Sequence, residues 1–278
     1  MSFAPATDAH VHLMPDRLMA AIRDALSRDL GWAIDHPTER TAMESVLRRQ
    51  GVDRYLALPY AHDPGLARKL NEWVLEQAGK SEMAVPFATV HPEDDVRPVV
   101  RDAFNAGARG LKLQCPVQDA APNDPRLDPA FELCAEYGRP VLLHSGRAPN
   151  FGDSDAVGLG PFREFVASYP EVRVCCAHMG APDTEGFVAE ARAHDQVFLD
   201  TSVAMSAAVP ENMDFDPASV ENAVFEELAG SIMYGSDYPN VPYEYASERE
   251  HLLSRELSED ALDGLFRGAA DRFLATSG

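Results

Sequence analysis

Long apolar runs are missing from this 278-residue chain. No stretch approaches the ~20 uninterrupted apolar residues that a membrane-spanning helix needs. The opening residues, MSFAPAT, lack the basic and apolar regions of a secretory signal, so a cytoplasmic protein is expected. Cysteine is scarce. Cys115, Cys134, Cys175 and Cys176 form no Cys-x-x-Cys pair, and three lie in apolar runs. They read as free, buried small hydrophobes, since a disulfide framework is denser and its chain shorter. Lysine is rarer still: Lys69, Lys80 and Lys112 stand beside 21 arginines. Positive charge is short overall, with a net charge of −21 and a pI near 4.7. Such a surface repels phosphates, which excludes nucleic acid and anionic membranes as partners. A small-molecule substrate and other copies of the chain, in a homo-oligomer, are the partners left. An acidic, Lys-poor composition resembles that of salt-adapted proteins, whose surface charge is screened within ~3 Å at molar salt. A high-GC bacterial gene gives the same composition.

Several catalytic signatures are absent too. There is no His-Glu-x-x-His, no Walker loop and no Gly-x-Ser-x-Gly elbow. Gly158-Leu-Gly160 lacks the third glycine of a dinucleotide fingerprint. No low-complexity tract or Gly/Ser linker divides the chain, so residues 1–278 are expected to form a single domain.

What recurs is a short apolar run followed by a helical pattern. The runs are 7–13, 54–59, 84–90, 110–115, 140–144, 172–177, 197–201 and 232–235. Several are continuously apolar and bounded by turn residues, as parallel strands covered on both faces are. Helical patterns span 16–30, 38–49, 63–78, 92–106, 129–137, 161–168, 185–193, 217–228 and 259–274. Asp63-Pro64 reads as an N-cap followed by proline at the first helical position. Gly51, Gly107 and Gly138 read as glycines closing helices. Eight alternating units predict an α/β fold of the (β/α)8 TIM-barrel class, with function at the C-terminal ends of the strands.

The polar residues fall at those ends. Strand 1 carries His10 and His12, which share a face because they are two apart. Two imidazoles converging in an apolar interior are costly unless paired or metallated. Strand 5 ends on His144, strand 6 on His178 and strand 8 on Asp237, and strand 4 carries Lys112. Each alone has a bland explanation, such as a satisfied core histidine. Five such strands collected on one barrel face do not. Lys112 stands out in a chain that otherwise uses arginine, because lysine can be neutralised or carbamylated and arginine cannot.

In these motifs the chain resembles the amidohydrolase superfamily, and most of all its amidohydrolase-2 branch, which includes aminocarboxymuconate-semialdehyde decarboxylase and its relatives. The matching residues are Asp8-Ala-His10-Val-His12, Gly110-Leu-Lys112-Leu, Leu143-His144-Ser-Gly, Ala177-His178-Met-Gly and Gly235-Ser-Asp237-Tyr-Pro, with a closing helix at 265–273. Two departures are visible. Gln114-Cys115-Pro116 stands where relatives often have His-Pro, which removes any role of a histidine there. Gly268-Ala269-Ala270 stands where they often show an asparagine.

The resemblance implies one divalent metal per chain, Zn2+ before Mn2+ or Fe2+, held by His10, His12, His144 and Asp237. Such a cation can lower the pKa of a water from ~15.7 to ~7. Asp237 would then accept the water's proton, and His178 would hydrogen-bond the water or a developing oxyanion. Asp8 is a candidate to orient a ligand histidine. Lys112 presents a fork. Carbamylated, it bridges two metals; unmodified, it neutralises a substrate carboxylate, a role for which Arg147 is the other candidate. The implied activity is hydrolysis of an ester, lactone or amide of a small, carboxylate-bearing substrate. The alternatives are non-oxidative decarboxylation of an aromatic or enoic acid, and a catalytically silent metal-binding protein.

Overall fold

A computed structural model describes residues 5–276 apart from residue 153. Eight parallel strands appear among the described residues: β1 (Ala6–Val11), β2 (Val52–Ala57), β3 (Ala84–Pro86), β4 (Leu111–Leu113), β5 (Val141–Leu143), β6 (Val174–Cys176), β7 (Val197–Asp200) and β8 (Ile232–Met233). They form two arcs, β1-β2-β3 and β4-β5-β6-β7-β8. Two parallel bridges join the arcs, Ala88 with Leu111 at one seam and Val11 with Tyr238 at the other. The backbone bonds Lys112 N–H to Ala88 (2.7 Å) and Ala9 N–H to Tyr234 (2.8 Å) reinforce those seams. The result is the expected (β/α)8 barrel.

Alternation along the strands sorts the side chains into two shells. Leu111, Val141, Leu143, Val174, Cys176, Val197 and Leu199 pack outward against the helices. Leu56, Phe87, Leu142, Cys175, Phe198 and Met233 fill the interior, and Ala269, Ala270 and Phe273 of the closing helix join them. Lys112 lies between two outward leucines, so its side chain points inward, fully buried. Gly110 just before β4 allows a close approach: a Cβ there would lie 2.4 Å from the Phe87 ring. All four cysteines are free and buried. No helix among the described residues is long and apolar enough to cross a membrane.

Element boundaries differ from expectation where local capping loses to tertiary contacts. The third helix spans Ala67–Ala78 and has no side-chain cap, so Asp63-Pro64 precedes it in a turn. The expected helix at 217–228 is a 3-10 turn, Pro217–Ser219, and a short helix, Asn222–Glu227. The closing helix is interrupted by a π segment, Gly264–Gly268, whose Leu265 carbonyl accepts from Tyr234 N–H (2.8 Å) and so ties it to β8. Gly138 closes its helix at φ 60°, while Gly51 and Gly107 reach φ 76° and 111° just beyond theirs.

Candidate active site

Beyond the C-terminal ends of the strands, His10, His12, His144, His178 and Asp237 converge. The two β1 histidines meet edge to face, with ring centroids 5.1 Å apart. Asp237 Oδ1 lies 3.3 Å from His10 Nε2 and 3.0 Å from His12 Nε2. His178 Nε2 lies 3.1 Å from His144 Nδ1. All four imidazoles are buried.

The hydrogen bonds of the other ring nitrogens decide what these atoms present. His12 Nδ1 is 3.0 Å from the Leu58 carbonyl, which can only accept, so Nδ1 carries the proton. His10 Nδ1 is 2.9 Å from Asp200 Oδ2, and His178 Nδ1 is 3.0 Å from the Ser202 carbonyl, with the same consequence. Burial in particular holds His10 down at about 4, against the attraction of Asp200, so it is neutral near pH 7. With Nδ1 holding the ring's proton, and no second proton bound, the Nε2 atoms of His10 and His12 offer lone pairs. Both lone pairs face Asp237 Oδ1, another acceptor. Three acceptors meeting in a buried space repel one another unless a cation or proton stands between them. His10 Nε2 and His144 Nε2 also have no hydrogen-bond partner among the described residues. Nitrogen and oxygen donors without thiolate suit a divalent metal, and this set fits one. Burial opposes the ionisation of Asp237, but where a proton fills the gap on His12 Nε2, the bond it donates, with the nearby His10 and His178, outweighs burial and holds the carboxyl well below its usual range. It is thus an anion wherever the histidines are folded around it.

Asp200, at the end of β7, was not among the residues expected from sequence. It is fully buried, and besides His10 Nδ1 it accepts from His178 N–H (3.1 Å), Ser202 N–H (3.2 Å) and the Ser202 hydroxyl. Burial opposes its charge, yet the His10 ring, His178 and Ser202 lower its pKa far below the carboxylate range. A signal was present: the apolar run Val197-Phe-Leu ends on an acid at the same level as the other site residues. Asp8 was the residue expected to orient a ligand ring. It instead accepts from the backbone N–H groups of His10 (3.0 Å) and Ser236 (3.1 Å), and from the hydroxyls of Ser236 (2.6 Å) and Tyr245 (2.8 Å). A strand's backbone and a side chain two residues on point different ways, so Asp8 fastens β1 to β8 while Asp200 orients the ring.

The strand ends are bent to deliver these groups. His178, Val203 and Asp237 sit at φ 57°, 61° and 59°. Left-handed backbone costs on the order of 1–3 kcal/mol per non-glycine residue and persists only where surroundings impose it. For His178, the bonds Asp200 makes to its N–H and Ser202 makes to its ring supply that constraint.

Lys112 and Arg147 lie in different settings. Lys112 is beneath the histidines, its Nζ without a hydrogen-bond partner among the described residues. Burial lowers its pKa, against the attraction of Asp200 and Asp237. It does not line the cavity above the site. Arg147 does line it, half-exposed, its Nε 3.8 Å from Asp183. Gln114, near where relatives often have a histidine, nonetheless reaches the site: its amide lies 2.9 Å from His144 Nδ1, and its Oε1 has no partner among the described residues. Turning the amide lets Oε1 accept from His144 Nδ1–H and leaves His144 Nε2 with its lone pair. The cavity itself, about 300 Å³, opens over His12, His144, His178 and Asp237.

Comparison with known proteins agrees with this geometry. No curated protein sequence matches the chain. Among solved structures, a TIM-barrel protein from Bordetella bronchiseptica matches with a TM-score of 0.75 at 18% identity, covering 97% of this chain and 98% of that one. A putative 2-pyrone-4,6-dicarboxylic acid hydrolase from Pseudomonas putida matches with a TM-score of 0.65 at 16% identity, covering 98% of each. A 5-carboxyvanillate decarboxylase from Novosphingobium aromaticivorans, crystallised with manganese and a nitrobenzoic acid, matches with a TM-score of 0.65 at 14% identity, covering 98% of this chain and 96% of that one. The amidohydrolase family profile matches residues 7–276, so the chain belongs to the amidohydrolases, a family of divalent-metal enzymes that includes both hydrolases and decarboxylases.

Proposed function

We propose that the protein is a metal-dependent hydrolase acting on an ester, lactone or amide. The observation that carries this reading is the meeting of Asp237 Oδ1, His10 Nε2 and His12 Nε2, with the Nδ1 atom of each ring committed elsewhere, a donor set suited to Zn2+ or Mn2+. His10, His12, His144 and Asp237 would hold the cation. When bound, it supplies Lewis acidity, lowering the pKa of a nearby water and polarising a carbonyl.

The chain's own residues account for the rest. Asp237 takes the attacking water's proton on its carboxylate and passes it to the leaving group. His178 has its Nδ1 proton committed to Ser202, so its Nε2 accepts a proton first and only then donates to an oxyanion. Asp200 keeps the His10 proton on Nδ1, away from the centre. The cavity walls exclude bulk water from the reacting carbonyl. Of the two candidate cations for an anionic group, Arg147 lies on the cavity side, while Lys112 is buried beneath the histidines and does not line the cavity.

Decarboxylation of an aromatic or enoic acid is the second reading. Its support is the likeness to a 5-carboxyvanillate decarboxylase and a 2,6-dihydroxybenzoate decarboxylase, each matched over at least 96% of its length. A pH-stat panel of esters and lactones, with amides followed by amine release, run beside aromatic acids monitored for CO2, separates the two. Base uptake that disappears in Asp237→Ala supports the hydrolase. Release of CO2 without base uptake supports the decarboxylase.

A further inference from the structure

The cavity is apolar to a degree that constrains what enters it. The helix Asp16–Leu30 presents Leu18, Ile22 and Leu26, one turn apart, to its interior. Only Met19 of that helix is fully buried; Leu18 and Ile22 pack partly against the core, and with Leu26 they also border the cavity. Trp32, Phe151 and Met213 extend the same wall. Phe151, 39% exposed, is the single large hydrophobic so exposed among the described residues. Among the described residues, formal charge on the lining is limited to Asp237, within the histidine cluster, and Arg147 at the rim, which Asp183 already approaches. His62 also lines the cavity, with Asp63 at 3.3 Å from its Nε2. Lys112, the cation with no exposure among the described residues, does not line it.

Building on the hydrolase reading, we infer that the substrate is a neutral ester or lactone with an extended apolar body. That body lies along Leu18, Ile22 and Leu26 against Trp32, and its carbonyl lies at the Asp237 end. A carboxylate on the body would lose its hydration among these side chains with no buried cation to meet it. The expectation of a carboxylate-bearing substrate changes accordingly.

Binding tests this without turnover. Phenyl alkyl ketones of increasing chain length are neutral and cannot be hydrolysed, and ketones of the same length ending in a carboxylate are their controls. The chain has two tryptophans, so in Trp73→Phe the fluorescence reports Trp32 alone. Affinity for the neutral ketones should rise about fourfold per methylene until the cavity is full. The carboxylated ketones should bind at least tenfold more weakly, even at 1 M salt, where the overall charge of −21 is screened. Leu26→Arg should narrow that gap. Equal or tighter binding of the carboxylates, no gain with length, or no response of Trp32 to any ketone would overturn the inference. If the ketones follow the pattern while no ester or lactone is turned over, the hydrolase reading fails and the assignment of the cavity stands. Turnover of small charged lactones without ketone binding gives the reverse.

Discussion

Replacing Asp200 by asparagine isolates the charge that orients His10. The substitution preserves volume at a fully buried position. The amide oxygen can still accept from His178 N–H and Ser202 N–H, which lie 3.1 and 3.2 Å from Oδ1. The other oxygen, 2.9 Å from His10 Nδ1, becomes an NH2 group. Two donors cannot face each other, so His10 moves its proton to Nε2 and aims it at Asp237. Losing a carboxylate behind a ligand histidine lowers metal affinity by about 10–100-fold, or roughly 1.4–2.8 kcal/mol. Loss of the charge-assisted bond costs about 1.5–3 kcal/mol of folding stability, less what is regained by no longer burying a charge. Competition between the protein and a chromophoric chelator for Zn2+ measures the affinity, circular dichroism checks the fold, and 15N shifts of the metal-free protein report the His10 tautomer. A folded Asp200→Asn protein with affinity within twofold of the parent, or an unchanged tautomer, would refute this account of Asp200.

Three further outcomes are expected. Phe273→Ala should destabilise the fold by about 3–5 kcal/mol in denaturant titration, because that ring packs against Phe87 and Phe198 in the barrel interior; a loss under 1 kcal/mol would mean that the interior does not depend on it. Glu248→Gln should flatten the pH dependence of stability. Burial, with Asp8 and Asp237 nearby, holds the Glu248 carboxyl well above 4.5, so the native state keeps a proton that the unfolded chain releases. Its contribution is therefore full below about 4.5 and is lost as pH rises towards the folded value. The glutamine variant should gain melting temperature at pH 8 relative to the parent and little at pH 4; an equal change at both would contradict the assignment. Lys112→Met should leave the metal content at one equivalent and the melting temperature no lower, because the buried amine has no partner among the described residues; a fall from two equivalents to one would instead mark a carbamylated bridge.

The barrel was legible in the sequence because eight apolar runs, several of them continuous, alternate with periodic helical stretches. The site was legible where residue type and strand end coincide, as at His10, His144, His178 and Asp237. Asp200 escaped because a single acid after an apolar run also suits a helix cap, and only the folded barrel shows its carboxylate against a ring 190 positions away. Asp8 was misjudged for a related reason: the sequence places it next to His10, but the strand's geometry turns it to the backbone. Helix starts such as 63–66 were misread because contacts with the barrel, not local caps, decide where those helices begin. The cavity walls were not legible at all, since Leu18, Ile22 and Leu26 look like any core-facing stripe until the fold leaves open space beneath them.

The central claim is that His10, His12, His144 and Asp237 form a divalent-metal centre. Elemental analysis of the untagged chain, purified without chelator and then exposed to equimolar Zn2+ or Mn2+ and desalted, tests it most directly. The account predicts about one tightly held equivalent per chain, lost in a folded Asp237→Ala variant. No retained metal in the parent, or equal retention in the variant, would contradict it.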